Sequence, residues 1–112
     1  MKVAVVGASG WLGGTIAREA LARGHEVTAI GRDATRLTGL EGARIVEADV
    51  TDPDSLRTAL AGHDAVVSAV TDRTTADRSI IPDTARTLLD ILPQVGVSRL
   101  LVLGGGLSLI HI

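Results

Sequence analysis

Gly7-Ala8-Ser9-Gly10-Trp11-Leu12-Gly13 is the stretch of this chain whose residue types and spacing point to chemistry. It follows a short β-branched apolar run and opens a stretch of helical spacing, the context in which a glycine turn binds a dinucleotide. Gly7 permits a tight turn out of the strand. Gly10 has no Cβ, so a pyrophosphate can approach the backbone, and Gly13 lets the helix pack close to the sheet. The phosphates would meet the N–H groups and positive dipole end of a helix starting near Trp11, with the Ser9 hydroxyl adding a hydrogen bond. The plain alternative is a glycine-rich connection that holds no ligand. Coenzyme choice turns on the end of the second strand. NAD sites place an Asp or Glu there, roughly 20 residues after the turn, on the ribose 2′-hydroxyl. Glu26 falls too early, and the position holds Gly31 followed by Arg32. A guanidinium suits a 2′-phosphate through paired hydrogen bonds, and Arg36 joins it if the segment turns helically. This points to NADP. NAD stays open because Asp33 stands beside the site, and both arginines also read as ordinary solvated charges.

The elements that must position these residues alternate in period. Lys2–Val6, Glu26–Ile30, Ala43–Glu47, Asp64–Val70 and Ser98–Leu103 read as short strands buried on both faces of a parallel sheet. Trp11–Arg23 reads as a helix with Leu12, Ile16, Ala20 and Leu21 on its apolar stripe and Gly24 as its stop. Asp52–Ala61 starts with Asp-Pro-Asp-Ser, as a helix should. Ile80–Val95 carries Ile81, Ala85, Leu88, Leu89 and Leu92 at helical spacing, with Pro82 suited to its first turn and Pro93 bound to bend or end it. Asp33–Gly42 supplies one or two turns at most. This alternation predicts an α/β doubly wound parallel sheet of order 3-2-1-4-5, with ligands at the carboxyl ends of strands 1 and 4. The 112 residues make one domain, and a formal net charge of -2 argues against nucleic acid as the main partner. Zero Cys excludes thiol, iron–sulfur and Cys-ligated zinc chemistry. His25, His63 and His111 are scattered, and His25 and His63 read as turn residues, so no metal site is expected. No stretch approaches the ~20 apolar residues of a membrane span. The chain enters its first strand at once, without a charged leader and cleavage site, and a cytoplasmic protein is expected.

The glycines here are spaced GxxGxxG. With the flanking KVAVVGASGWLGGTIAREALARGHEVTAIGRD, and with VEADVTDPDSLRTALAGHDAVVSAV and GVSRLLVLGGG, the chain resembles the extended and atypical short-chain dehydrogenase/reductases. It is similar in particular to the NAD(P)H-binding, NmrA-like group that includes NADH–flavin reductases and biliverdin-reductase-type flavin reductases. The resemblance implies a Rossmann domain and an NADPH-binding Arg at Arg32. It also implies that Asp49 accepts from the adenine amine while Val50 covers the ring. The alternative is that this pair caps the following helix, a task Thr51 or Asp52 can serve. Ser68, Ala69 and Val70 would run beneath the coenzyme ribose and pyrophosphate. The usual acid of the superfamily is a Tyr with a Lys four residues on. This chain has no Tyr, and Lys2 is its one lysine, so catalytic residues are unassigned; Ser68, Thr71 and Thr74 are the hydroxyls expected near the nicotinamide.

The function implied is hydride transfer from NADPH to a flavin or flavin-like small molecule. A non-catalytic redox sensor is one alternative. Another is a sugar-nucleotide epimerase or dehydratase whose Tyr/Lys pair lies beyond these residues. Residues 1–106 are expected to be the N-terminal part of a single domain, cut before its sixth strand. Leu107–Ile112 (LSLIHI) matches what a common transposase sequencing adapter encodes when read through, and is expected to be a non-native tail. Strand 5 would then be a bare edge.

Overall fold

Lys2–Val6 forms the central strand β1, with Val3 through Val6 all buried. Its side chains alternate between two cores: Val3 and Val5 enter one, Ala4 and Val6 the other. A strand covered on both faces has no polar side, hence its unbroken apolar sequence. The computed structural model describes residues 1–37, 39–69, 80–97, 99–103 and 109–111. After β1 come α1 (Trp11–Ala22), β2 (Glu26–Gly31), a 3-10 turn (Ala34–Arg36), β3 (Arg44–Glu47), α2 (Pro53–Leu60) and β4 (Ala65–Ser68). Then follow α3 (Ile80–Ile91), a second 3-10 turn (Leu92–Val95), β5 (Arg99–Leu103) and β6 (Leu109–His111).

Five parallel strands stand in the order β3-β2-β1-β4-β5, the doubly wound Rossmann arrangement read from the sequence. β6 differs from that reading. It pairs antiparallel with β5, Val102 opposite Ile110, and covers the edge expected to be bare. An apolar strand edge recruits any extended apolar segment within reach, and Leu109-Ile110-His111 is one.

α1 packs on one face of the sheet, over Val3, Val5, Val27 and Ala29. Its fully buried residues are Gly13, Gly14 and Ala17, while Leu12, Ile16, Ala20 and Leu21 are only half-buried. Ile16, Ala20 and Leu21 of the predicted stripe pack against this core, while at the seam itself the helix lies so close to the sheet that only the smallest side chains fit between. Gly24, at φ 86°, follows the C-cap and ends the helix in the left-handed region. α2 and α3 cover the other face, where Leu56, Leu60, Leu88 and Ile91 are fully buried against Ile30 and Val66. Each such side chain contributes about 2 kcal/mol of burial. Asp52 caps α2 by accepting from the Asp54 and Ser55 N–H groups. In α3 the buried positions include Thr84, Leu88 and Ile91, whereas Leu89 is 45% exposed. Pro93 ends the α-helical spacing, and the chain tightens into the 3-10 turn Leu92–Val95. The side chains of Ile81 and Ala85, also placed on this stripe, lie outside the described residues.

The register brings the carboxyl ends of four strands together. Val6 lies beside both Ile30 and Ser68, and Gly31 lies beside Glu47. The ladder runs one bond further at each seam: Gly7 N–H donates to Ile30 O at 2.9 Å, Ala48 N–H to Gly31 O at 3.0 Å, and Ala69 N–H to Val6 O at 2.9 Å. Gly7, Arg32, Asp49 and Ala69 therefore emerge along one rim of the sheet.

Candidate functional site

The glycine turn is built by backbone alone. Gly7 has φ 82°, a conformation that side chains resist. Its N–H and that of Ala8 both reach Ile30 O, at 2.9 and 3.1 Å, which ties the turn to β2. Gly10 N–H closes back on Gly7 O at 3.2 Å. Gly10 is then the N-cap of α1 and supplies no side-chain cap. The N–H groups of the first helical turn have no intrahelical partner. Gly13 is fixed by close approach, since a Cβ there would stand 2.1 Å from Gly7 O. At Gly10 the same addition meets only Gly7 O at 3.6 Å, ordinary contact, so packing within the chain does not demand glycine. Ser9 is exposed, and its Oγ would lie 3.6 Å from a Cβ placed on Gly31. Ala8 is buried, Leu12 is half-buried, and the Trp11 side chain is 75% exposed.

A second feature lies at the ends of β2 and β3. Arg32, Glu47, Ala48, Asp49 and Ser55 line a hollow of about 370 Å³. Arg32 and Asp49, predicted from separate parts of the sequence, meet here. Asp49 is not a helix cap, because Asp52 takes that role. Its Oδ1 accepts from the Thr51 hydroxyl at 2.7 Å and the Thr51 N–H at 2.9 Å. The hydroxyl, the N–H and then the nearby Arg32 charge hold its carboxyl below the ordinary 3.8. The Asp49 N–H donates to Ser55 Oγ at 3.3 Å. Glu47 Oε1 accepts from the Ala34 N–H at 3.0 Å and so ties β3 to the segment carrying Arg32.

Other predicted residues stand apart from this hollow. Arg36 is not among its lining residues: Ala34–Arg36 forms a 3-10 turn and not an α-helical one. Asp33 caps that turn. The Thr35 hydroxyl, the Thr35 N–H and then the Arg36 charge lower its carboxyl pKa. Asp33 is therefore occupied locally and is likewise absent from the lining. Val50 is half-buried and packs against the α2–α3 core. Ser68 and Ala69 are both 3% exposed, so their side chains form the floor of the rim and not an open surface. Val70, Thr71, Thr74 and residues 104–108 lie outside the described residues. His63 sits at the opposite end of the sheet, its Nδ1 3.0 Å from Leu60 O and its Nε2 2.8 Å from Thr28 Oγ1. It thus serves its turn, as read, and also reaches across to β2. Among the described residues, no three His, Cys, Asp or Glu side chains are grouped to hold a metal.

The sequence reading missed Glu47, Ala48 and Ser55. Glu47 and Ala48 were recoverable by rule, because adjacent parallel strands that end together put their terminal residues side by side. Ser55 was not, since it comes from the next helix.

A sequence profile described as NAD(P)H-binding matches residues 7–108. The chain belongs to this NAD(P)H-binding family. Family relatives include the uncharacterized protein YwnB of Bacillus subtilis, 38% identical over 109 residues, covering 97% of this chain and 49% of YwnB. The chloroplastic divinyl chlorophyllide a 8-vinyl-reductase of Oryza sativa subsp. indica is 40% identical over 78 residues, 61% of this chain and 19% of the reductase. Among solved structures, a Burkholderia pseudomallei protein described as exported superposes with a TM-score of 0.79 at 38% identity, over 94% of this chain and 48% of its own. The chain thus spans about half the length of YwnB and of the Burkholderia protein. Among the described residues, no helix is long and apolar enough to cross a membrane.

Proposed function

We propose that this chain binds NADPH and forms the coenzyme half of a reductase whose acceptor is a flavin or flavin-like molecule. The observation that carries the reading is the start of α1. The helix is pressed onto β1 through Gly13, capped by no side chain, and aimed with its N–H groups at the rim where the strands end. Such an end favours a diphosphate through both its donors and its dipole. Gly7, Ala8, Ser9, Gly10, Trp11, Leu12 and Gly13 are assigned to that group, the Trp11 contribution being its backbone. Arg32 is assigned to the 2′-phosphate and Asp49 to the adenine amine. Ser68 and Ala69 provide the floor, and Val50 backs the adenine from the core side; Val70, assigned with them, lies outside the described residues. Arg36 adds positive charge near Arg32 without a direct contact. Family membership supports a nicotinamide coenzyme, and the reductase relative supports reduction as the chemistry.

When bound, a reduced nicotinamide supplies a hydride. The work of these residues is to hold the coenzyme and aim it, which suffices when the acceptor is itself a redox cofactor. Calorimetric titration tests the coenzyme assignment. NADPH is expected to bind more tightly than NADH, and Arg32→Ala to weaken NADPH by roughly tenfold and abolish its advantage. An unchanged ratio refutes the role of Arg32. Consumption of NADPH on adding FMN tests the acceptor, and tight binding without turnover would instead favour a redox sensor.

The same proposal takes Leu107–Ile112 as a non-native tail and the natural polypeptide as continuing past Gly106. An apolar groove of about 470 Å³ beside β5, lined by Leu89, Leu92, Pro93, Gly96, Val97, Arg99 and Leu100, supports this. α3 lies on that face, and a right-handed crossover leaving β5 in the same direction would lay its helix there. The nucleotide sequence downstream of codon 106 in the source genome is the test: LSLIHI encoded in the intact locus overturns it. A cytoplasmic setting belongs to this reading.

A further inference from the structure

The hollow at the ends of β2 and β3 holds two carboxylates for one guanidinium. Asp49 has one oxygen committed to Thr51 through two hydrogen bonds. Glu47 uses Oε1 on the Ala34 N–H, a single bond, and itself lines the hollow. Its place in the sheet is specific. Glu47 is the cross-strand neighbour of Gly31, and Gly31 is the strand-end position where an NAD site carries its acid. Glycine at 31 presents no side chain there, and the next strand presents a carboxylate at the same level.

We propose that Glu47 is a specificity-determining residue that opposes Arg32. Its carboxylate accepts from the ribose 2′-hydroxyl of NADH and repels the 2′-phosphate of NADPH, while Arg32 attracts that phosphate. The site therefore accepts both coenzymes and prefers NADPH only modestly. Because Glu47 also holds the Ala34 N–H, it places the segment that carries Arg32, so the two opposing groups are fixed to each other through one hydrogen bond. The inference rests on reading the hollow as the adenosine end of the coenzyme site.

Glu47→Gln separates charge from scaffolding. The Gln carbonyl still accepts from Ala34, but the negative charge is gone. Titration of the whole chain with NADPH and with NADH, followed by calorimetry, is expected to show NADPH tightening about threefold and NADH weakening about two- to threefold. The shift shrinks at high salt, because the repulsion removed is between charges near the surface. Glu47→Ala provides the second variant. It moves the ratio the same way and weakens both coenzymes as the loop loosens. A ratio unchanged in Glu47→Gln, or one equal loss for both coenzymes in Glu47→Ala with no change of preference, overturns the assignment. If the unmodified chain binds neither coenzyme, the reading of the hollow fails first and takes this inference with it. If it binds both and only the ratio refuses to move, Glu47 alone is misassigned.

Discussion

The glycine turn and the β2–β3 hollow sit on one rim of one sheet, yet they are made by opposite means. The turn is made by removing side chains. Gly7 supplies a positive φ, Gly13 a contact that no Cβ could share, and Gly10 an uncapped helix start. The hollow is made by adding them: Arg32, Glu47, Asp49 and Ser55 converge from two strand ends, a loop and a helix. Changes to the turn should therefore act through steric exclusion and be large. Changes to the hollow should act through charge in a solvent-open place and be graded.

Gly13→Ala is the strongest way to break this contrast. Alanine is the better helix former by about 1 kcal/mol, so propensity alone would stabilise α1. The added methyl would stand 2.1 Å from Gly7 O and 2.8 Å from its carbonyl carbon. Helix and strand must part to admit it, and a net loss of about 3 kcal/mol or more is expected in urea unfolding followed by circular dichroism. A stable Gly13→Ala protein would mean the helix is not seated as described. Gly10→Ala should behave differently. Its φ of -79° suits alanine and its methyl meets the chain only at 3.6 Å. Stability should change by about 1 kcal/mol at most, while NADPH affinity falls at least about tenfold, because the methyl occupies the path of the diphosphate. Intact binding in this variant would remove the phosphate cradle from the turn.

The smallest effect belongs to the hollow. The Asp49 carboxyl titrates lower in the folded chain than in the unfolded one, mainly through the Thr51 hydroxyl. The stability it adds is complete above about pH 4 and is lost as pH falls through the depressed folded value. Asp49 is exposed, so screening keeps the contribution to a few tenths of a kcal/mol. Asp49→Asn should remove that part of the acid dependence and leave neutral stability almost unaltered, as read from urea midpoints at pH 7 and pH 3. A loss of more than about 1 kcal/mol at pH 7 would show that Asp49 is a structural support.

The fold was legible because it depends on local signals that agree. Unbroken apolar runs, Gly24 at a helix end, Asp52-Pro53 at a helix start and Pro93 at another each gave their element in the place observed. The misreadings came from what neighbours in space impose. Leu12 and Ile16 have the spacing of a buried stripe, but a seam closed around Gly13 and Ala17 leaves them half out. Leu89 has the same spacing in α3 and faces the groove beside β5. At the site, the glycines and Arg32 could be found along the chain. Glu47 emerges only when β3 is laid against β2 and their terminal residues are matched, a step beyond reading along the chain. Arg36 was placed by assuming α-helical spacing, and a 3-10 turn rotates residues differently.

The one aromatic residue of this chain, Trp11, stands in water at the lip of the phosphate turn with three-quarters of its surface open. Its emission is thus free of any competing fluorophore and overlaps the absorption of a dihydronicotinamide. The protein carries its own optical ruler: transfer of excitation from that indole to an arriving reduced coenzyme would register both occupancy and orientation without a label.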